Sequence, residues 1–450
     1  MVWANFLHIY QPPTQKKYWV DRITAESYKK IVAELQGAPK AKLTLNINAC
    51  LTEMLVNFGY RGLIDDIKDL VLNGQVELTA SAKFHPLLTK IPEDEIVRQI
   101  RLNDNTNKKY FGRAWEPKGF FPPEMSFNAK LGRLLGKLGY QWVIIDELAH
   151  PSGKLNQVKY DRLYKQKDST IKLFFRERET SFRILSAQLG TGNLLLDELG
   201  DRIKRNEYLL TAMDGETFGH HRLGLEKLLF DIYKDSRLPT VRISDLLVMF
   251  NKVEEVAPRA STWALMEKDI QRNAPFARWD DPQNEIHKAQ WELTNLAMAK
   301  VTQSNQEEAR KLLDEAIHSD QYWWASAKPW WSLEMIERGA SDLLTAIKAV
   351  KGLPQKDFNR AYNLYIKIIT LGFAWQRSGK VEELARDEDE EIRQLTDRGL
   401  PHLSAREINK MIANLDKQRQ SAAKKQEYER AGQFRDRIKE LDAKKKEIKK

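Results

Sequence analysis

Two segments, each with a carboxylate directly after an apolar run, are the parts of this sequence best suited to chemistry. Asp214 and Glu216 follow the apolar residues 208–213, and Glu124 follows the run 119–121 and two prolines. An Asp-Gly-Glu sequence by itself more often marks an ordinary turn, so a second acid is needed to support a functional interpretation. The prolines before Glu124 restrict the backbone that aims its carboxylate. Two aimed carboxylates indicate glycoside hydrolysis.

Polar and aromatic side chains follow other apolar runs in the first half of the chain. They are His8, Tyr10, Gln11, Lys83, His85, Asp146, Glu147, Arg176, Glu177 and Arg178. Taken singly, each is more often structural, because a histidine near a strand end is usually a satisfied core group and a charge run is usually solvated. If the runs are strands ending at one edge, these side chains would converge into a pocket for a polyhydroxylated ligand.

Seven apolar runs with the length of buried strands would position these groups. They lie at residues 2–8, 43–48, 76–81, 119–121, 142–146, 171–176 and 208–214. Helical periodicity fills most of the gaps, as at residues 50–73, 93–111, 128–138 and 194–204. Because strand and helix alternate, the pattern predicts an α/β protein with a parallel barrel.

The composition is that of a globular protein with more than one domain. With 450 residues, of which 42% are hydrophobic, the chain can bury one large core and a smaller unit. No run approaches the roughly 18 to 20 apolar residues of a membrane span, and residues 1–13 lack the features of a signal peptide, so we expect a cytoplasmic protein and no membrane partner. Cys50 is the only cysteine, which excludes an internal disulfide and a thiolate metal cluster.

The second half of the sequence predicts a helical domain. Long helical periodicity follows residue 261, and the aromatic segment 318–325 interrupts it. Most of these aromatic residues are expected in the core, with Trp323 or Trp324 against a bound sugar ring. The predicted domains are a barrel (1–260), a helical domain completing the active site (261–380), a charged linker (381–403) and a helical tail (404–450).

Five ordered motifs together resemble glycoside hydrolase family 57. They are LHIYQP at residues 7–12, GQVELT at 74–79 with His85-Pro86, FFPPE at 120–124, MDGETFG at 213–219 and YWW at 322–324. The resemblance covers roughly the first 350 residues, and five motifs in one order are far more specific than any one of them.

The resemblance implies an incomplete seven-stranded parallel (β/α) barrel with a helical bundle, acting on α-glucans with retention of configuration. It implies Glu124 as the nucleophile, Asp214 as the general acid and base, and neither a metal nor another cofactor. Glu216 has no assigned chemical step. The residues expected to bind substrate are His8, Tyr10, Gln11, His85, Glu216, His220, Trp263, Trp323 and Trp324.

One position departs from the family pattern. The first motif of the family normally reads His-Gln-Pro, and Tyr10 stands here where that histidine would be. A tyrosine can donate a hydrogen bond to a sugar hydroxyl but cannot carry a positive charge. We therefore expect altered specificity rather than lost chemistry.

The tail resembles the UVR motif of bacterial excision-repair proteins, a helical hairpin that mediates protein contacts. Residues 404–450 hold 15 Lys and Arg against 8 Asp and Glu, and therefore most of the net charge of +10. Apolar residues recur at helical spacing in two blocks, separated by the polar residues 417–427, so that Leu415 and Phe434 would face each other. So small a hairpin should dock on a protein partner, a second copy or the barrel; nucleic acid ranks lower, because no aromatic platform for bases accompanies the charge.

Several functions remain open. Amylase-like hydrolysis is the first expectation, and transfer to a sugar acceptor, as in a 4-α-glucanotransferase, is the second. Related barrels hold metal-dependent deacetylases and mannosidases, and His8, His85, His220 and His221 could be recruited as ligands, although compact ligand spacing is not evident. The alternative from another class is a catalytically inactive barrel that binds glycans or serves as a scaffold through its tail.

Overall fold

The computed structural model of the protein describes residues 1–396 and 405–448. Ten strands lie within these residues: β1 (Val2–Ile9), β2 (Leu43–Ile47), β3 (Val76–Thr79), β4 (Gly119–Phe120), β5 (Trp142–Asp146), β6 (Leu163–Gln166), β7 (Lys172–Arg176), β8 (Tyr208–Asp214), β9 (Thr240–Val241) and β10 (Val253–Val256). Each of the seven predicted runs contains a strand, whereas β6, β9 and β10 were not predicted.

Nineteen α-helices lie within the same residues. They are α1 (Lys17–Ile23), α2 (Lys29–Gln36), α3 (Ala49–Asn57), α4 (Arg61–Leu72), α5 (Glu93–Phe111), α6 (Ala129–Lys137), α7 (Arg178–Leu185), α8 (Gly192–Leu199), α9 (Glu226–Tyr233), α10 (Ile243–Met249), α11 (Glu267–Gln271), α12 (Glu285–Ser304), α13 (Glu307–Ala316), α14 (Asp320–Trp323), α15 (Leu333–Lys348), α16 (Gln355–Ser378), α17 (Lys380–Thr396), α18 (Ala405–Lys424) and α19 (Tyr428–Ile448). A π-helix, Thr24–Tyr28, joins α1 to α2. No helix in the described part of the chain has the length and apolarity that crossing a bilayer requires.

The strands form a curled sheet that is parallel except at one pair. One path runs β3-β2-β1-β8, with β9 also on β1, and the other runs β10-β6-β7-β5-β4. A parallel bridge between Ala80 and Phe120 joins the two paths, and the amide of Glu177 donates to the carbonyl of Leu210 at 2.7 Å where β7 approaches β8. The predicted α/β class is confirmed. The count of seven strands is not, since three further strands are present and β6 pairs antiparallel with β7.

The region after the sheet is mostly helical, as predicted. Helices α12 to α16 pack through apolar residues such as Leu293, Leu343 and Ile368, which belong to the same core as β5. Residues 381–396 of the predicted charged linker are helix α17, and residues 397–403 lie outside the described residues. Glu388 of α17 is buried, which a solvated linker would not predict.

The tail folds as two helices, α18 and α19. Their apolar core consists of Ile408, Leu415, Ala422, Phe434 and Leu441. Leu415 and Phe434 share this core, as expected from the two apolar blocks. The break between the helices is shorter than predicted, because α18 continues through the polar residues to Lys424. Of the three docking surfaces that the sequence left open, the structure places the hairpin on the barrel, since Leu223 packs against the hairpin core.

Candidate active site

The carboxyl ends of β1, β2 and β8 bring predicted site residues to one edge of the sheet. His8 lies opposite Asp214 of β8 on one side and opposite Asn46 of β2 on the other. His8 is buried, and its Nδ1 lies 2.8 Å from the side-chain oxygen of Asn46. Asp214 is half-buried at this edge.

Glu124 reaches the same region on a turn after β4. Its backbone has a φ of 60°, in the left-handed region that non-glycine residues rarely occupy. The side chain is held by two donors, the Ser319 hydroxyl at 2.8 Å from Oε1 and the Trp263 indole N–H at 3.1 Å from Oε2. Backbone strain that persists in a well-supported position is typical of functional sites.

The two predicted catalytic carboxyls are both shifted toward their protonated forms. Burial, with the negative charge of Asp320, raises the pKa of Glu124 to about 8, although its two donors oppose the shift. Burial, with the charge of Glu216, raises the pKa of Asp214, and the positive charge of Arg176 opposes the shift. The charge of Asp214 also contributes to the raised pKa of Glu124. The groups are therefore close enough to interact, and ionising one disfavours ionising the other.

Glu216 serves a different purpose from the other two acids. It is buried, and its Oε1 accepts hydrogen bonds from the Tyr28 hydroxyl, from Gln11 Nε2 at 3.2 Å and from the Tyr10 amide at 3.4 Å. Burial raises the pKa of Glu216, while the bonds from Tyr28 and Gln11 oppose that shift. The side chain thus ties the loop after β8 to the segment after β1.

Tyr10 lies in a stack of rings beside Glu124. Its ring centroid is 4.0 Å from that of His85, which in turn is 5.1 Å from that of His8. The Tyr10 hydroxyl donates to Asp320 at 2.7 Å. Because Asp320 also lies 3.0 Å from His318 Nδ1, the tyrosine connects the barrel to the helical region.

His85 forms a relay with Ser319 and Glu124. Its Nδ1 lies 2.9 Å from the Ser319 hydroxyl, which donates to Glu124. Burial lowers the pKa of His85 to about 4, so the ring is neutral near pH 7. With the proton on Nδ1 to satisfy Ser319, Nε2 is an acceptor. Nε2 is buried and has no hydrogen-bond partner within the described residues.

A buried cluster of charges lies behind Trp263. Arg176 and Arg178 both donate to Asp146, at 2.7 and 2.8 Å. The same guanidinium groups donate to the carbonyl of Trp263 at 2.9 and 3.1 Å. The charged residues noted at the ends of β5 and β7 therefore position the tryptophan that binds Glu124.

The structure gathers most of the predicted site residues around Glu124 and Asp214. Those gathered are His8, Tyr10, Gln11, His85, Glu216 and Trp263. His220 lies elsewhere, with its Nδ1 2.5 Å from Glu26. Trp323 stacks on Trp279 at 5.0 Å, and Trp324 meets Trp330 edge to face at 5.9 Å. Direct sugar contact by these three residues stays a prediction.

Sequence reasoning missed the parts of the site that depend on tertiary contacts. Ser319 and Asp320 were noted only as members of an aromatic segment, and Tyr28 was not singled out. Their partners are Glu124, Tyr10 and Glu216, which are 188 to 310 positions away along the chain. Nothing in local sequence marks such pairs. Within the described residues, no three His, Cys, Asp or Glu side chains are arranged to hold a metal ion.

Comparison with known sequences gives two family matches. Residues 4–234, just over half of the chain, match the model of glycosyl hydrolase family 57, and residues 409–444 match the UvrB/uvrC motif. An alpha-amylase of Pyrococcus horikoshii is 28% identical over 34% of this chain and 24% of its own length. A 4-alpha-glucanotransferase of Thermococcus litoralis is 21% identical over 34% of this chain and 22% of its own length. The matched region thus spans about a quarter of the length of these relatives.

Solved structures share the fold. The family 57 branching enzyme of Pyrococcus horikoshii superposes with a TM-score of 0.62 and 14% identity, over 90% of this chain and 98% of that one. At this identity the likeness establishes the fold, which includes the helical region beyond the family match.

Proposed function

Since this chain belongs to glycosyl hydrolase family 57, we propose that it cleaves glycosidic bonds of α-glucans with Glu124 as nucleophile and Asp214 as general acid and base. The observation that carries the proposal is the placement of both carboxyls at one sheet edge, with Glu124 held by Ser319 and Trp263. The reaction is a double displacement with retention of configuration.

In the first step, a Glu124 carboxylate oxygen attacks the anomeric carbon as the bond from that carbon to the leaving oxygen breaks. Asp214 transfers its proton to the leaving oxygen, so a shortened glucan departs as an alcohol. In the second step, Asp214 accepts a proton from water or from a sugar hydroxyl, and the resulting oxygen nucleophile displaces Glu124 from the sugar. Two inversions give net retention.

The hydrogen bonds support this division of roles. Glu124 accepts from two neutral donors, which stabilise its ionised form. Among the described residues, no such donor acts on the pKa of Asp214, and burial and Glu216 favour its protonated form. Once Glu124 has ionised, its charge keeps the proton on Asp214, which is the state that the first step requires.

Nearby side chains would grip the sugar. His85 holds the Ser319 hydroxyl that donates to Glu124, and the faces of Trp323 or Trp324 suit the C–H face of a pyranose. Tyr10 is committed to Asp320, so its position near the cleavage point shapes the site without adding charge. An altered substrate specificity would therefore arise at Tyr10.

The acceptor in the second step decides between hydrolysis and transfer. The relatives carry both names, alpha-amylase and 4-alpha-glucanotransferase. We propose hydrolysis as the main outcome and transfer to a second glucan as the accompanying one, since both use the same two carboxyls.

The test is incubation of the full chain with amylose and maltoheptaose, with chain shortening and chain transfer measured by chromatography and the first anomer formed by proton NMR. We expect α-configured products, and a loss of at least about a thousandfold in turnover for Glu124→Gln and for Asp214→Asn. Glu179→Gln, a change at an exposed ion pair, is the matched control. Wild-type turnover by Glu124→Gln would refute the assignment, and an inactive wild type would favour the glycan-binding scaffold.

A further inference from the structure

The C-terminal hairpin packs on the two barrel segments that flank the proposed catalytic loop. A Cβ added to Gly224 would come within 2.8 Å of Leu415, and one added to Gly190 within 2.7 Å of Met411. Leu223 joins the apolar core of the hairpin. The loop after β8 therefore lies directly beneath α18.

Polar contacts fix the hairpin on the other segment, which follows β1. Arg22 donates to Gln433 at 2.8 Å, and Lys30 donates to Gln418 at 3.0 Å. Between these two contacts, Arg430 Nε lies 3.6 Å from the carboxylate of Glu26. Both helices of the hairpin thus contact the same stretch of barrel.

The stretch between these contacts, the π-helix Thr24–Tyr28, also contacts the catalytic loop. Ser27 donates to the carbonyl of Gly215 at 2.8 Å, and the Tyr28 hydroxyl donates to Glu216. Glu26, the preceding residue, faces the hairpin. Three consecutive residues therefore connect the tail on one side to the loop bearing the catalytic acid on the other.

The backbone of the catalytic loop lies against Glu26 as well. Gly219 has a φ of 104°, and a Cβ there would lie 2.2 Å from the carbonyl oxygen of Glu26. The amides of His220 and His221 donate to the carbonyl of Glu216 at 3.1 and 2.8 Å. A displacement of Glu26 would thus move the loop and not only its own helix.

Glu26 is contacted by two arginines and a histidine from three directions. It is buried, and its carboxylate lies 3.0 Å from Arg22, 2.5 Å from His220 and 3.6 Å from Arg430. A buried carboxylate depends strongly on such partners, because each one offsets the cost of removing the charge from water. Arg430 is the partner that the tail supplies.

We propose that the C-terminal hairpin is a positioning element for the active site, in which Arg430 acts through Glu26 to hold Ser27, Tyr28 and the loop that carries Asp214 and Glu216. The inference rests on the proposed function for its kinetic readout only. It assigns positioning roles to Glu26 and Arg430, which touch no reacting atom. His220, placed away from the catalytic pair, belongs to this connection.

The test is a charge reversal, Arg430→Glu, in the full chain. It places a negative charge beside the buried Glu26 carboxylate. We expect backbone hydrogen exchange of residues 214–219 to become faster, and kcat on maltoheptaose to fall by about fivefold to tenfold with little change in KM, the size of effects carried along packed networks. Arg430→Lys, which keeps the positive charge, should retain most of the wild-type kcat and most of the wild-type protection from hydrogen exchange.

Arg435→Glu is the matched control, because Arg435 lies on the same helix with 59% of its side chain exposed. If residues 214–219 exchange alike in Arg430→Glu and Arg435→Glu and kcat is equal, the proposal is wrong. Backbone hydrogen exchange of residues 405–448 shows whether the hairpin has detached from the barrel. If the hairpin detaches and the exchange of residues 214–219 is unchanged, the proposal is also wrong. A wild type without turnover on α-glucans would remove the proposed function, whereas the exchange comparison would still decide the connection.

Discussion

At the scale of single residues, Glu124 combines features that each cost stability. Its backbone is left-handed, its carboxyl is buried, and negative charges lie nearby. Such a combination persists where the surrounding structure holds it in place, here through Ser319 and Trp263. The proposed nucleophile is therefore held in place at a cost to the stability of the folded state.

This cost predicts that Glu124→Gln stabilises the protein. The pKa of Glu124 rises from 4.5 to about 8 on folding, so the native state binds more protons than the unfolded state in that interval. Wild-type stability must then fall as pH rises from 4.5 to 8, and the neutral glutamine escapes the loss. We expect the difference in unfolding free energy to grow by about 1 to 3 kcal/mol across the interval.

Urea denaturation at a series of pH values measures this difference. Glu179→Gln, at an exposed pair, should show no such growth. If the difference in unfolding free energy between Glu124→Gln and wild type is the same at pH 5 and pH 8, the pKa of Glu124 is not raised in the folded protein.

The proposed catalytic pair could be singled out from the sequence because each acid follows an apolar run and matches a specific motif. Ser319, Asp320 and Tyr28 could not, because their roles arise from contacts with residues far away along the chain. The contact of His220 with Glu26 could not be predicted either, since a position near Asp214 in the sequence does not determine which way a side chain on a turn points.

At the scale of elements, strands that form continuous apolar runs were predictable and the other strands were not. The strands β1, β5 and β8 are buried along nearly their whole length, so they read as continuous apolar runs. In contrast, β10 is mostly exposed and contains two glutamates, and β9 has only two residues. Neither carries the apolar run that marks a buried strand.

The next prediction concerns Ser319, the residue directly before helix α14. Ser319 lowers the pKa of Glu124 by donating to it, so removing the hydroxyl in Ser319→Ala should raise that pKa further. The acidic limb of the kcat/KM profile depends on ionised Glu124, and it should therefore move to higher pH.

The pH dependence of kcat/KM on maltoheptaose checks this shift. Ser304→Ala is a suitable control, because its hydroxyl donates to a main-chain carbonyl at the end of α12. If the acidic limb of the Ser319→Ala profile stays at the wild-type pH, the Ser319 hydroxyl does not influence the ionisation of Glu124.

At the scale of the whole molecule, charged residues join regions that the sequence presents as separate. The acidic run in α17 was interpreted as a solvated helix or linker, but Glu388 is buried and pairs with Arg278 and with Lys268 at 3.1 Å. Composition alone cannot reveal such a pair, because the basic partners lie more than a hundred positions earlier in the chain.

Glu388→Ala should therefore destabilise the protein. It leaves the buried Arg278 with Asp269 as its remaining carboxylate partner, which should cost about 2 to 4 kcal/mol in unfolding free energy. Chemical denaturation followed by circular dichroism measures the loss, and Glu382→Ala, an exposed position on the same helix, controls for helix propensity. Equal stabilities of the two variants would place α17 outside the folded body.

The covalent glycosyl-enzyme intermediate gives the most direct test of the double displacement at Glu124. A fluorinated α-glucosyl fluoride slows the second step more than the first and lets this intermediate accumulate. Mass spectrometry of the digested protein should then find one fluoroglucosyl unit on the peptide containing Glu124, and none after Glu124→Gln. A label on Asp214 or Glu216, or full turnover with no label and inverted products, would contradict the double displacement at Glu124.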